Sequence, residues 1–309
     1  MAAAILTSPS GFDPNRSEDC TGYDPELHVA CAHRHAHGRV DLARALTVSC
    51  NIYFARAAVR LGEAEIRRAA ERFGLNALAS PNLLRGLPGA ELRPMPSTVL
   101  PEGGPPLGAR DLARVGYGQG PVSLTPFDLA RAGAVIATGG ERSDPYLAQS
   151  IELSRDDEGE RNVRWVREVA AVSRERVLPE LAAEQIDLVL RGVFESPEGT
   201  GRNLPRLWHD GSAWRLSRET PGEGWERVPI AGKTGSAWRA ASDATDDAWM
   251  VVWAPAGAPR VVVAVQIEDG GEGGKTAGPI ALSVLRSALE RLDAERAAGE
   301  SAEAVSLGL

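Results

Sequence analysis

With 309 residues, 43% of them hydrophobic and 25% charged, the chain can bury a full core in one large domain or two small ones. A formal net charge of −8 argues against a nucleic-acid-binding surface. No window approaches 18 uninterrupted apolar residues, which excludes a hydrophobic span within it, and residues 1–6 lack the length and the basic flank of a signal-peptide core.

In chain order, residues 1–6 read as the tail of a helix. Residues 7–38 are loop-like, rich in Pro, Gly, Asp and His. His33-Arg-His-Ala-His37 invites a metal reading, since imidazole suits zinc. No Asp, Glu or Cys lies in tight ligand spacing with it, so the sequence assigns no metal. The cysteine count is odd. Cys20 and Cys31 flank a polar loop and leave two readings open, a disulfide in an oxidising compartment or reduced thiols. Cys50 reads as a small buried hydrophobe.

Residues 41–46 form a helix with an acidic first turn. Ser49-Cys50-Asn51 follows, then a helical pattern over residues 52–61. Ser49 is either the N-cap of that helix or, with Asn51, half of a pair that needs a bend to converge on one cleft. Residues 63–73 form an amphipathic helix with Ile66, Ala69, Ala70 and Phe73 on one face, ended by Gly74. Residues 80–108, dense in Pro and Gly, form a surface connection. Gly116-Tyr-Gly-Gln-Gly120 is a glycine-rich turn without the context of a dinucleotide site. Thr125-Pro126 opens a helix with Asp128 as its acidic cap partner, and Gly139-Gly140 stops it.

Residues 146–178 predict a strand pair with a polar turn at 156–159. Residues 178–194 predict a helix with Leu181, Ile186, Val189, Leu190 and Val193 on one side. Residues 195–227 contain Gly199-Thr-Gly201 and Trp208, Trp214 and Trp225, which bind glycan if exposed or pack on themselves as a hairpin. Strands over 228–238, 248–253 and 260–268 form successive antiparallel hairpins, and a helix over 279–292 closes the chain. The strand 261–267 is apolar almost throughout, as for one covered on both faces. Asp269-Gly-Gly-Glu-Gly-Gly-Lys-Thr276 mimics a phosphate loop. The pattern requires glycine where Asp269 stands, and a carboxylate there would repel phosphate.

The chemistry concentrates in the strand over 228–238. Lys233 supplies an ammonium and Thr234 a hydroxyl. Gly235 lets a ligand backbone approach because it has no Cβ, and the Ser236 amide is a donor for a developing oxyanion. Ser49-Cys50-Asn51, Lys233-Thr-Gly235 and the Gly116–Gly120 turn with Thr125-Pro126 occur in the order found in penicillin-binding proteins, whose transpeptidase domain this chain resembles over about residues 11–290.

The resemblance implies an α/β fold of the β-lactamase/transpeptidase type, an antiparallel sheet flanked by helices plus an all-helical subdomain. It divides the chain into a mainly helical part at 39–140 carrying Ser-x-Asn and a sheet part at 141–292 carrying Lys-Thr-Gly. It implies Ser49, Asn51 and Lys233 as catalytic residues and Thr234, Gly235 and Ser236 as substrate-binding residues. The implied ligands are the D-Ala-D-Ala end of a peptidoglycan stem peptide and β-lactams, with no metal or organic cofactor. The implied location is extracytoplasmic, with cell-wall synthesis or division complexes as partners. The family's third signature, Ser-x-x-Lys, is absent: no serine in the 309 residues precedes a lysine by three. Two expectations follow. Either the chain is the C-terminal portion of a longer, membrane-anchored D,D-transpeptidase whose reading frame begins upstream, or it is a non-catalytic module that keeps only the stem-peptide grip.

Overall fold

A computed structural model describes all residues except 10–12, 77–80, 85–90, 104, 148–149, 154–164, 169–173, 239–244 and 308–309. The order begins with α1 (Ala2–Leu6), β1 (Glu18–Cys20), β2 (Tyr23–Asp24), β3 (Val29–Ala30) and β4 (Gly38–Val40). Helices α2 (Leu42–Val48), α3 (Asn51–Arg72), α4 (Ala109–Gly116) and α5 (Pro126–Ala137) follow. Four short strands come next, β5 (Glu141–Ser143), β6 (Ser150–Leu153), β7 (Trp165–Glu168) and β8 (Arg174–Arg176). The chain ends with α6 (Glu180–Glu195), β9 (Arg206–His209), β10 (Trp214–Ser217), β11 (Glu226–Val228), β12 (Ala231–Ala237), β13 (Asp247–Ala254), β14 (Val261–Ile267) and α7 (Ala277–Leu307).

The helix boundaries follow local chemistry. Asp41 caps α2 by accepting the Arg44 amide at 2.9 Å. Thr125 caps α5 by accepting from the Asp128 amide, with Pro126 in the first turn. Asp128 is buried, accepts from Ser97 Oγ at 2.6 Å and pairs with Arg131 at 2.8 Å, so the start of α5 is pinned to the preceding loop. The two helices expected over 52–61 and 63–73 are one element interrupted at Gly62, whose φ of 76° breaks the hydrogen-bond ladder. Gly74, at φ 71°, ends it.

The principal sheet runs β12-β13-β14, antiparallel, with Lys233 opposite Val251 and Met250 opposite Val265. Gly133 of α5 lies so close to Val251 and Val262 that a Cβ there would meet them at 2.9 and 3.2 Å. The buried Trp253 indole donates to Asp187 of α6 at 2.7 Å. Alternation along the strands therefore turns one face to α5 and α6 and the other to α7. The core between them holds Phe194, Met250, Val252, Trp253, Leu282, Leu285 and Leu289. A second core gathers Ile5, Val40, Ile52, Tyr53, Phe54 and the three cysteines around α2 and α3. Among the described residues β14 pairs with β13 alone.

Several boundaries differ from expectation. The strand expected over 228–238 begins at Ala231, because Pro229 cannot continue the ladder, and residues 226–228 pair with β9 instead. It ends at Ala237, leaving Trp238 62% exposed. Leu181 does not share the buried side of α6: it is 67% exposed, and Ala182, Ala183, Ile186, Leu190, Val193 and Phe194 face the core. The closing helix starts at Ala277 and runs to Leu307. Trp208 and Trp214 are buried, and the Trp214 indole donates to Asp293 of α7 at 2.6 Å, so this tryptophan-rich sheet packs on the body. The polar turn expected at 156–159 lies outside the described residues. No helix among the described residues is long and apolar enough to cross a membrane.

Candidate active site

Helices α2 and α3 meet at a sharp break. Ser49 closes α2 in the left-handed region, at φ 57° and ψ 53°, and Cys50 caps α3 in an extended conformation. Ser49 is therefore not the N-cap of α3. A serine held at positive φ costs on the order of 1 kcal/mol, and the break spreads three consecutive side chains away from helical geometry. From this corner Ser49 reaches across to the sheet: Lys233 Nζ donates to Ser49 Oγ at 2.8 Å, joining residues 184 apart in sequence. The same ammonium donates to the Thr234 carbonyl at 2.7 Å. The Lys233 residue is half-buried, and burial of its ammonium lowers the pKa from 10.5 to about 8.

Strand alternation separates the other groups. Lys233 and Gly235 share one face, Thr234 and Ser236 the other. Thr234 is buried and its hydroxyl pairs with that of Thr200 at 2.7 Å. Two hydroxyls sharing one hydrogen bond retain one O–H to donate. Ser236 is exposed; its Oγ accepts the Gly273 amide at 3.1 Å, and its own O–H remains a donor toward the cleft. Asn51 donates through Nδ2 to the Ala30 carbonyl at 2.9 Å, fixing it against the loop before α2 while its oxygen remains an acceptor. Gln119 of the glycine-rich turn lies beside the strand, its Nε2 3.5 Å from the Ser236 carbonyl. Gly116 of that stretch permits α4 to touch α3, since a Cβ would meet the Phe54 carbonyl at 2.3 Å.

Two contributors escaped the sequence reading. Thr200 supports Thr234 through its hydroxyl and donates its amide to the Thr47 carbonyl of α2 at 3.4 Å, so the Gly199-Thr-Gly201 loop couples strand to helix. A small-Thr-small triplet was its visible signal. The Gly270–Gly274 segment, set aside as a false phosphate loop, lies directly on β12: a Cβ on Gly273 would meet the Gly235 carbonyl at 2.1 Å. Only glycine lets that backbone approach so closely. A cavity of about 890 Å³ bordered by Ile136, Glu180, Asp187 and Arg191 sits at α5 and α6 and includes none of these groups.

The sulfur chemistry also differs from expectation. Cys20, Cys31 and Cys50 are buried free thiols, with Cys20 and Cys31 3.6 Å apart rather than bridged. His37 Nδ1, which has no cysteine near it in sequence, is 3.4 Å from Cys20 Sγ. His33 and His35 are exposed.

This arrangement agrees with what the chain is similar to. The family described as penicillin binding protein transpeptidase domain matches residues 1–286. The peptidoglycan D,D-transpeptidase PbpA of Mycobacterium tuberculosis is 30% identical over 258 residues, covering 81% of this chain and 44% of PbpA. The peptidoglycan D,D-transpeptidase MrdA of Haemophilus influenzae is 26% identical over 264 residues, covering 81% of this chain and 36% of MrdA. The chain thus spans less than half the length of these relatives. Among solved structures, PBPA from Mycobacterium tuberculosis superposes with a TM-score of 0.68 at 26% identity, covering 93% of this chain and 59% of that one. Its penicillin G acyl-enzyme complex superposes with a TM-score of 0.64 at 25% identity, covering 93% and 58%. The α/β fold is that of these transpeptidase domains, and the chain belongs to the penicillin-binding protein transpeptidase domain family.

Proposed function

We propose that this chain is the substrate-gripping body of a peptidoglycan D,D-transpeptidase. Ser49, Asn51 and Lys233 are its catalytic side chains, and Thr234, Gly235 and Ser236 its substrate-binding strand. The observation that carries this reading is the bond from Lys233 to Ser49 across the groove between helices and sheet. A stem peptide ends in a free carboxylate. Lys233 offers that group a charge and Ser236 an O–H, a charge-assisted pairing. Asn51 holds the preceding amide with its remaining donor and acceptor capacity.

An acyl transfer of this kind forms an ester on a serine, breaks the terminal C–N bond and needs a proton delivered to the leaving amine. Ser49 is positioned to relay that proton, and Lys233, with a pKa near 8, both gives and takes one around neutral pH. The attacking serine and its lysine partner are not among these residues, whose two lysines stand at 233 and 275. They are supplied from polypeptide outside this chain, and the 309 residues alone do not acylate. The work is extracytoplasmic, where peptidoglycan is cross-linked.

Labelling with fluorescent penicillin tests the reading. A chimera carrying the Ser-x-x-Lys segment of the tuberculosis PbpA ahead of α1 becomes covalently labelled, and Lys233→Ala in that chimera abolishes it. The 309-residue chain stays unlabelled; a covalent adduct on it would contradict the assignment. The absence of Ser-x-x-Lys also favours a second reading, a non-catalytic binding module. That reading gains if the chain binds stem peptide reversibly while a folded chimera never labels.

A further inference from the structure

The residue between Ser49 and Asn51 points the other way, into a cluster that the proposed chemistry does not use. Cys50 Sγ lies 3.9 Å from Cys31 Sγ, Cys31 Sγ 3.6 Å from Cys20 Sγ, and Cys20 Sγ 3.4 Å from His37 Nδ1. All four donor atoms lie within 4.8 Å of one another. The three cysteines are at most 3% exposed and His37 is half-buried.

These separations can be compared with a coordination polyhedron. Zinc bonds of about 2.3 Å to sulfur and 2.0–2.1 Å to nitrogen, at tetrahedral angles, place neighbouring sulfurs about 3.8 Å apart and sulfur and nitrogen about 3.6 Å apart. The observed edges of 3.6, 3.9 and 3.4 Å match that figure within a few tenths of an ångström. A disulfide would need sulfurs about 2.05 Å apart, and it would leave Cys50 and His37 unexplained. Four separate stretches converge here: the end of β1, the turn after β3, the residue before β4 and the cap of α3. Apolar packing does not call for an imidazole nitrogen aimed at a sulfur.

The surroundings suit thiolates. The Ile52 amide, in the first turn of α3, donates to the Cys31 sulfur, and with the Cys50 thiol it holds Cys31 below the usual thiol range. Three thiolates and one neutral imidazole around a divalent ion leave one net negative charge. Arg44 stands beside it, donating to the His37 carbonyl at 2.6 Å and the Arg39 carbonyl at 2.8 Å, which also fixes the backbone that carries His37.

We propose that Cys20, Cys31, His37 and Cys50 form a structural Cys₃His zinc site that ties the 18–40 loop to the start of α3 and so fixes Ser49 and Asn51 from behind. Binding forms three Zn–S bonds and one Zn–N bond and releases to solvent the protons of the thiols not already ionised. Three thiolates with one imidazole in a closed tetrahedron select zinc over the harder divalent ions. Asn51 gains most directly, since its hydrogen bond to Ala30 leads to the residue before Cys31.

The test uses the 309-residue chain purified under reducing conditions, with zinc measured by mass spectrometry and cobalt as the optical probe. The expected result is one zinc per chain surviving gel filtration. Cobalt should give intense tetrahedral bands with a sulfur-to-cobalt charge-transfer band. Ellman's reagent should find the thiols protected until a chelator is added. Cys31→Ser and His37→Ala should each weaken cobalt binding by about 100-fold or more. His33→Ala with His35→Ala should leave the spectrum unchanged. Circular dichroism of each variant separates lost binding from lost folding, and His37→Ala, at the half-buried ligand, is the variant least exposed to that ambiguity. Substoichiometric metal with three freely reactive thiols would overturn the proposal. So would a Cys20–Cys31 disulfide in the non-reduced digest, or a cobalt spectrum unaltered in folded His37→Ala.

Discussion

The two faces of Ser49-Cys50-Asn51 make opposite uses of adjacent residues. On the cleft side, Ser49 takes the Lys233 ammonium at 2.8 Å. On the inner side, Cys50 is fully buried among two more thiols and a histidine. One backbone break divides them. The left-handed Ser49 turns its hydroxyl to the strand, while the extended Cys50 sends its sulfur into the second core. A continuous helix would have spread these three side chains by about 100° per residue and anchored neither side. The comparison teaches that a polar groove at a subdomain boundary needs a rigid backing, and that a three-residue motif can carry both.

Four experiments would break or sharpen this comparison. The largest effect belongs to the cleft face: in a labelling-competent chimera, Lys233→Ala should slow acylation by about 10²–10⁴-fold, read as the second-order rate of fluorescent-penicillin adduct formation. Loss limited to the rate, with unfolding temperature nearly unchanged, would separate it from the inner face. Chelation or Cys50→Ser should act in the reverse sense, lowering the midpoint of thermal unfolding by on the order of 10 °C, as for loss of a ligand held some thousandfold below its free concentration.

A third effect is pH-linked. The Lys233 pKa is about 8 in the folded state against 10.5 as its reference value, so the unfolded chain binds more protons between those limits. Stability from this group therefore rises as pH increases through that window, by on the order of 3 kcal/mol in total. Denaturant titrations of the chain and of Lys233→Met from pH 7 to pH 11 check it: the gap between them should narrow with rising pH. The smallest effect is at the support: Thr200→Val removes the hydroxyl partner of Thr234 and should cost about 1 kcal/mol in the same titration.

The helices around the cleft were legible because their caps are local. Asp41, Thr125-Pro126 and Gly74 each mark an end that the structure keeps. The three sheet strands were legible from apolar runs between turn residues. Leu181 was misjudged because it sits one position from the buried Ala182 and Ala183, and small residues mark a packed helix face less plainly than a leucine does. In the candidate site, Lys233 and Ser49 stood out as motif residues, but their meeting is a tertiary fact. Thr200 and Gly273 carried no local signal because their roles are contacts to β12, made from loops 34 and 37 residues away. The sulfur cluster was invisible for the same reason: its four donors come from separate stretches between residues 20 and 50, and ligand spacing along the chain does not describe a site assembled from loops.

The most direct test of the stem-peptide grip is nuclear magnetic resonance titration of the ¹⁵N-labelled 309-residue chain with N-acetyl-lysyl-D-alanyl-D-alanine. The expected result is saturable shifts centred on the amides of Gly235 and Ser236, abolished by Lys233→Ala and by amidation of the peptide's terminal carboxylate. Absence of saturable shifts, or shifts indifferent to both the lysine and the carboxylate, would contradict the assignment.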